Sequence, residues 1–365
     1  MLAKITYRDK TYEVEPGLTV KETLIQIGLE PQLYLAVRDG KLVTEDQTIK
    51  PDDKIKLVAI VSGGSPFKSG FVAVVGRPNV GKSTLLNALL GQKIAIVSPR
   101  PQTTRRKQLG ILTTAEAQII FVDTPGIHRP QRALDDYMQS VAADAIADAD
   151  AILWVTDISE LPTVADKRIA ELIARQASKT PTLMAFNKSD QLKPAQVMPH
   201  TDAFRALLPN AEWRLTSAAR GDNLEKIVPL LVAHLPQGPL YYAEDDITDT
   251  QLRDLAAELI REAALNLLRD EVPHGIAVEI EEFKEPPGKA AHVSAVIYVE
   301  RDSHKGIVIG KKGAMLKQIG ERARKEIESQ LDGPVFLNLH VKVREGWRGD
   351  ERAVKRFGYD ATRET

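Results

Sequence analysis

The chain has no cysteine among its 365 residues. This excludes a disulfide scaffold, a thiolate zinc site and a cysteine nucleophile together, and makes the cytosol the natural compartment. Net charge is nearly absent as well, because 49 Lys and Arg oppose 50 Asp and Glu for a formal charge of -1. Binding of nucleic acid through bulk positive charge is thereby excluded, so any such contact has to be local. No stretch reaches the roughly 18 apolar residues that span a bilayer, and the opening MLAKITYRDKTYEVEPG alternates polar and apolar residues where a signal peptide carries a continuous apolar core. A soluble cytoplasmic protein is expected, with a peripheral contact to the inner face of the cell membrane still compatible. Internal repeats and low-complexity tracts are lacking too.

What is present is ordinary globular material. Hydrophobic residues make up 43% and charged residues 27%, and the length predicts two or three domains at roughly 100 to 200 residues each. Residues 1–64 read as a strand pair (3–7 and 11–14), a helix over 20–27 and further strands near 34–37 and 54–61, a β-grasp, ubiquitin-like pattern. Ser62-Gly63-Gly64-Ser65-Pro66 ends that run, and residues 65–70 read as a linker. From 71 to 240, strand-length apolar runs (FVAVV at 71, IIFV at 119, AILWV at 151, TLMAF at 182 and a short strand at 214–216) alternate with helical patterns. That alternation predicts a doubly wound α/β domain on a parallel sheet. The acidic, proline-bearing stretch 241–250 reads as a second linker. Residues 251–350 follow the order helix (251–269), strand (276–283), strand (291–301), helix (305–309), glycine turn, helix (313–330), strand (335–344), and 351–365 read as a tail.

Three motifs sit at strand ends of the middle domain, where ligands bind in such sheets. Gly76-Arg77-Pro78-Asn79-Val80-Gly81-Lys82-Ser83, with Thr84 opening the helix, matches the Walker A pattern between strand and helix. Its glycines let backbone N–H groups converge on phosphates at a helix N-terminus, Lys82 supplies a cation for the β and γ groups, and the Ser83 hydroxyl suits Mg²⁺. Asp123-Thr124-Pro125-Gly126 offers a carboxylate to the Mg²⁺ shell and, through Gly126, an N–H to the γ-phosphate. Asn187-Lys188-Ser189-Asp190 places Asp190 to accept from the imino and amino groups of guanine, which selects GTP over ATP because adenine leaves that carboxylate unpaired. Ser217-Ala218, after the last strand, can present a backbone N–H to the guanine carbonyl. Individually each reads equally as a strand-to-loop turn; their order and spacing decide for a P-loop GTPase. The residue after Gly126 is Ile127, where many small GTPases carry a glutamine that orients water, so intrinsic hydrolysis is expected to be slow.

In the last domain, Gly306-Ile307-Val308-Ile309-Gly310-Lys311-Lys312-Gly313 contains G-x-x-G between two helices, the loop with which a KH fold clamps nucleic-acid backbone. Between 301 and 325 eight Lys or Arg face two acids, a local excess of six charges in a nearly neutral chain. A basic helix face is usually only solvated; the surrounding element order is that of a bacterial, type II KH domain of α+β class. Lys305, Ile309, Gly310, Lys311, Lys312, Gly313, Lys317 and Arg324 are the candidate RNA contacts, and DNA is not an expected partner.

GRPNVGKST, QTTR, DTPG, NKSD and TSA stand in the order of a translation-factor-class GTPase, and residues 71–360 resemble the Era family, down to GRPNVGKSTLLNALLGQK and VKVREGWRGDERAVKRFGY. The resemblance implies action in small ribosomal subunit assembly, binding of small-subunit rRNA near its 3′ end, and a first switch at Gln-Thr-Thr-Arg in which Thr103 or Thr104 reaches Mg²⁺. It also implies that Asn79, as in related GTPases, coordinates K⁺ in place of an arginine finger; a turn asparagine is the equal alternative. Lys82, Asn79, Thr104 and Gly126 are thus the candidate catalytic groups. Residues 1–64, which that family does not normally carry, resemble the MoaD/ThiS sulfur carriers, including the closing Val-Ser-Gly-Gly at 61–64. Ser65 follows Gly64, so either cleavage there releases a carrier, or the domain is a docking module of unknown partner with a Gly-Gly linker. Two rival readings of the whole are a nucleotide-gated RNA clamp with little hydrolysis and a sulfur-carrier precursor fused to a GTPase.

Overall fold

The computed structural model describes residues 3–7, 10–29, 31, 34–38, 41–59, 67–98, 100, 103–127, 130–286 and 288–360. The Gly63-Gly64 pair, with the cleavage and linker readings placed on it, and Pro101 and Gln102 of the first switch lie outside the described residues. Two compact units result, 1–67 and 68–365.

The first unit is the expected β-grasp. Strands β1 (Ala3–Tyr7), β2 (Lys10–Val14), β3 (Tyr34–Arg38), β4 (Lys41–Val43) and β5 (Lys54–Ala59) form a sheet in the order β2-β1-β5-β3-β4, with β1 and β5 parallel. Alternation puts Ala3, Ile5, Ala36, Ile55 and Leu57 on the face that buries Val20 and Leu24 of helix α1 (Val20–Gln26). A capping box between Thr19 and Glu22 starts that helix. The three-residue β4 is too short to show an alternation, so the sequence pattern does not reveal it.

In the second unit, β6 (Lys68–Val75), α2 (Lys82–Leu90), β7 (Gln108–Thr113), β8 (Ala117–Asp123), α3 (Ala133–Ala147), β9 (Ala151–Asp157), α4 (Val164–Gln176), β10 (Thr182–Asn187), α5 (Val197–Arg205), β11 (Glu212–Leu215) and α6 (Ile227–His234) build the doubly wound domain. The sheet order is β11-β10-β9-β6-β8-β7. It is not wholly parallel as the sequence suggested: β7 is an antiparallel edge strand on β8. Both faces of the central strands are buried, Val72, Val74, Phe121 and Leu153 on one side and Ala73, Val75, Ile120 and Trp154 on the other, which explains their continuous apolar runs.

α7 (Leu252–Leu267), β12 (Ala277–Lys284), β13 (Ala291–Val299), α8 (Asp302–Ile309), α9 (Ala314–Leu331) and β14 (Val335–Val343) follow in KH order. β13 pairs antiparallel with β12 and parallel with β14, and the helices α7 and α9 cover one face of that sheet. Residues 241–250 lie along the GTPase sheet, where Gln118 Oε1 accepts from the Tyr241 and Tyr242 amides at 2.8 and 3.0 Å and the Ile111 amide donates to Ile247 O at 2.7 Å. Residues 351–360, read as part of a tail, include helix α10 (Glu351–Arg356). There Phe357 and Tyr359 are buried with Trp347 against Leu134, Tyr137 and Met138 of α3 and Val296 and Tyr298 of β13. The GTPase and KH halves therefore share a core. No helix among the described residues is long and apolar enough to cross a membrane.

Candidate functional site

The carboxyl ends of β6, β8, β10 and β11 share one edge, so the four motifs converge. A cleft there is lined by Pro78, Asn79, Gly81, Lys82, Ser83 and Thr84 of the P-loop, by Gly126, by Thr103 and Thr104, and by 96–98. Lys82 is buried and its ammonium donates to Gly76 O at 3.0 Å and Arg77 O at 3.2 Å, which folds the loop around it. Burial lowers the Lys82 pKa to about 8; the Asp123 charge opposes that shift and Arg77 adds to it. Asn79 has a φ of 65°, the left-handed backbone that asparagine tolerates.

Ser83 Oγ donates to Asp123 Oδ2 at 3.0 Å, Thr104 Oγ1 donates to the same oxygen at 3.2 Å, and the two hydroxyls are 3.0 Å apart. Thr103 also lines the cleft, but its hydroxyl donates to Arg100 O at 2.6 Å. Of the two threonines, Thr104 is the one that joins the cluster. Asp123 is fully buried, burial raises its pKa against the pull of Lys82, and its Oδ1 has no hydrogen-bond partner among the described residues. Three hard oxygens with one buried acceptor left over fit a Mg²⁺ ion.

Several candidates hold the site together more than they face a ligand. The Arg77 guanidinium turns to Asp166 at 3.4 Å, to Asp157 at 3.8 Å and to Glu160, while its carbonyl accepts from Lys82. Val80 is buried in the core. Thr124 donates to Val74 O at 2.8 Å, followed by Pro125 and Gly126 against Pro78. Ile127 packs, partly buried, against the core and its amide donates to Gly76 O at 3.2 Å.

At the base end, Asn187 Nδ2 donates to Val80 O at 2.8 Å and Asn187 Oδ1 accepts from the Ala218 amide at 2.9 Å, tying the P-loop to the last strand's loop. Of the Ser217-Ala218 amides expected to offer an N–H to the guanine carbonyl, that of Ala218 is engaged by Asn187 and that of Ser217 donates to Asp222 O at 3.2 Å. Lys188 pairs with Asp157 at 2.6 Å, and that bond holds the Asp157 pKa down although burial pulls it up. Ser189 donates its amide to Thr216 O at 3.0 Å, and Ser217 Oγ donates to Asp190 Oδ1 at 2.6 Å, a support for the candidate base-reading carboxylate that the motif itself does not reveal.

In the KH half, α8 ends at Gly310, whose φ of 72° a side chain would strain and whose Cβ would meet Met315 at 2.7 Å. Lys311 and Lys312 are exposed at the turn. A groove beside it runs between α9 and β14, with Gly313, Lys317 and Arg324 on one wall and Phe336, Leu337 and Leu339 on the other. Lys305 and Ile309 are not among its lining residues. Phe336 is 61% exposed on a strand whose neighbours alternate, its ring 5.4 Å from that of His292, an aromatic pair that the basic pattern did not flag.

Comparison with known proteins gives three family matches: a model described as 50S ribosome-binding GTPase over residues 71–188, KH domain over 271–348 and ThiS family over 2–64. The chain is similar to GTPase Era of Geobacter metallireducens, 46% identical over 296 residues that cover 81% of this chain and 99% of the relative. It is also similar to GTPase Era of Pseudomonas fluorescens, 48% identical over 294 residues, 80% of this chain and 97% of the relative. Among solved structures, an Era in complex with MgGDPNP and nucleotides 1506–1542 of 16S ribosomal RNA aligns with a TM-score of 0.77 at 43% identity, covering 80% of this chain and 99% of that one. An Aquifex aeolicus Era variant bound to GDP and AlF4⁻ aligns with a TM-score of 0.76, also at 43% identity, over 80% of this chain and 99% of that one.

Proposed function

The chain belongs to the Era family and is a GTPase, converting GTP to GDP and phosphate, and on that premise we propose that it acts in small ribosomal subunit assembly as a GTP-controlled RNA-binding factor. The observation that carries this reading is the pairing, within one compact unit, of the converging phosphate-loop and Asn187-to-Asp190 motifs with a KH fold whose Lys311-Lys312 turn is exposed beside a groove. A relative aligned along 99% of its length is in complex with both MgGDPNP and nucleotides 1506–1542 of 16S ribosomal RNA, which supports small-subunit rRNA as the ligand here.

In this reading Lys82 binds the β and γ phosphates, Asp190 reads guanine, and Ser83, Thr104 and Asp123 hold Mg²⁺. When bound, the ion neutralises charge on the transferring phosphoryl group. The Gly126 amide serves the γ-phosphate. Ile127, partly buried against the core, is a hydrocarbon that cannot orient water, so intrinsic turnover is slow. K⁺ held by Asn79 is the proposed compensation, and a turnover rate unchanged on replacing K⁺ by Na⁺ would remove it.

GTP binding orders the segments 98–107 and 124–134, and the KH half engages rRNA in that state. His128 and Arg129 of the second segment, like Pro99, Pro101 and Gln102 of the first, lie outside the described residues. Multiple-turnover hydrolysis with and without small subunits or their RNA is the test. Stimulation by the RNA is expected, whereas turnover that stays negligible in its presence favours the nucleotide-gated clamp.

For the first unit, the docking-module reading is preferred over a latent sulfur carrier, because no free carboxylate exists at Gly64 in the intact chain. Leu35, Leu42 and Val58 stand exposed on its sheet, a surface suited to a partner. Intact-mass measurement of the protein from its native host decides: a species of about 40.3 kDa is expected, and separate fragments divided after Gly64 would establish processing.

A further inference from the structure

Three consecutive residues of the first switch point in different directions and join the two halves of the second unit. Thr104 faces Ser83 and Asp123. The carbonyl before it, Thr103 O, accepts from Arg261 on α7, a guanidinium 1% exposed that also pairs with Glu258. The residue after it, Arg105, is likewise 1% exposed and runs into the KH half, donating to Ile276 O at 2.6 Å and His274 O at 2.9 Å with its guanidinium 5.6 Å from the centre of the Trp347 ring. Trp347 Nε1 donates to Gly275 O at 2.8 Å, so one turn receives both side chains. Arg106 completes the attachment: it lies 5.2 Å over the Tyr359 ring and donates to Phe357 O, passing so close to Gly358 that a Cβ there would collide with its Nη2.

A buried guanidinium stripped of its acceptors is strongly unfavourable. Thr104 and Arg105 are adjacent on one backbone, so the threonine cannot leave the Ser83–Asp123 cluster by more than a small shift without pulling on the arginine. The free energies of the two placements are therefore coupled, and the coupling is reciprocal.

We infer that Arg105, with Arg106 beside it, is a positioning residue for the triphosphate state: seated on the 274–276 turn and the Trp347 to Tyr359 segment, it holds Thr104 where Ser83 and Asp123 meet it. In return, a ligand that engages Thr104 tightens the seat and favours one placement of the KH half against the GTPase half. Residues 347–359 are then the receiver of the nucleotide signal. This rests on the proposed reading that Thr104 serves the triphosphate state.

The test uses the full-length chain and compares the affinities of GDP and of the non-hydrolysable analogue GDPNP, together with binding of a single-stranded RNA of the small-subunit 3′-terminal sequence. Arg105→Lys keeps the charge but loses the fork that spans two carbonyls. Arg106→Lys loses the planar stack on Tyr359 and is the milder variant. Both are expected to weaken GDPNP, by about tenfold for Arg105→Lys, while GDP affinity moves less than about twofold. The effect of GDPNP on RNA affinity should shrink in parallel. Equal loss of both nucleotides, or loss of neither, in the two variants overturns the inference. In the unsubstituted chain, absence of any GDPNP effect on RNA binding would instead refute GTP control itself, leaving the ratio of nucleotide affinities to judge Arg105.

Discussion

Ser217 Oγ donates a 2.6 Å hydrogen bond to Asp190 Oδ1, so the carboxylate proposed to read the base is oriented from the loop after a different strand. Guanine offers two donors to that group, an imino N–H and an amino N–H. An amide in its place keeps one acceptor and adds one donor, which matches the 2-oxo group of xanthine. Asp190→Asn is expected to weaken GTP by about 100-fold and to bind XTP in preference. Competition binding between the two nucleotides checks this, and a retained preference for GTP would remove Asp190 from its role.

Lys82 gives a pH dependence of definite sign. Its pKa is lowered from 10.5 to about 8 by burial. Between those values the unfolded chain binds more protons at this position than the native one. Burial of the charged lysine is thus a penalty present in full below pH 8, and its contribution to stability improves as pH rises toward 10.5. Bound phosphates favour the ammonium. GTP binding above pH 8 therefore takes up a proton, and affinity falls by about tenfold per pH unit until the bound-state value is reached. Calorimetry at pH 9 in two buffers of different ionisation enthalpy should register uptake approaching one proton. A buffer-independent heat contradicts it.

The two neighbouring threonines separate cleanly. Thr104→Val removes a hydroxyl from the Ser83–Asp123 cluster, and turnover should fall by about tenfold or more, with a raised Mg²⁺ requirement. Thr103→Val removes a bond to Arg100 O and should cost about 1 kcal/mol of stability at most, with turnover within about threefold. Reversed effects would assign the ion to Thr103.

Replacing Lys311 and Lys312 together by Asp tests the exposed turn of the KH half. RNA affinity should drop strongly, and the slope of log affinity against log salt should flatten by about 1.4, roughly 0.7 for each single-strand phosphate that a lysine no longer neutralises. GTP affinity should not change. An unaltered salt slope would place the backbone clamp elsewhere.

Phe357 carries a stability prediction. It is 5% exposed, packed edge-on to Trp347 and tilted against Tyr298. Phe357→Ala is expected to cost about 3–5 kcal/mol in urea denaturation of the full chain. A change under about 1 kcal/mol would mean that residues 351–360 do not belong to the shared core.

The candidate GTP site was legible as motifs because phosphate and base chemistry demand particular residues at the ends of particular strands, and those residues are local in sequence: Lys82 and Ser83 within one loop, Asp190 within another. The alternation of apolar runs with helical patterns was enough to locate the sheet's parallel strands along the chain, though not their order in the sheet. It missed β7, an edge strand that begins within two residues of Arg105-Arg106 and carries Gly110, and the three-residue β4.

By itself, then, the sequence determined the chemistry offered to a ligand: a phosphate loop, a guanine-reading carboxylate, a glycine-lysine clamp and a β-grasp head. Only the tertiary structure decided which threonine meets Ser83 and Asp123, that Ser217 supports Asp190, that Arg77 faces acids instead of phosphate, and that Arg105 and Arg106 are seated among Trp347, Phe357 and Tyr359. The physical reason is separation along the chain. Arg105 and the Ile276 carbonyl that receives it stand 171 residues apart, and Arg106 and the Phe357 carbonyl 251. No periodicity or motif encodes a contact of that range, because burial of a guanidinium against a carbonyl depends on how two domains close over it.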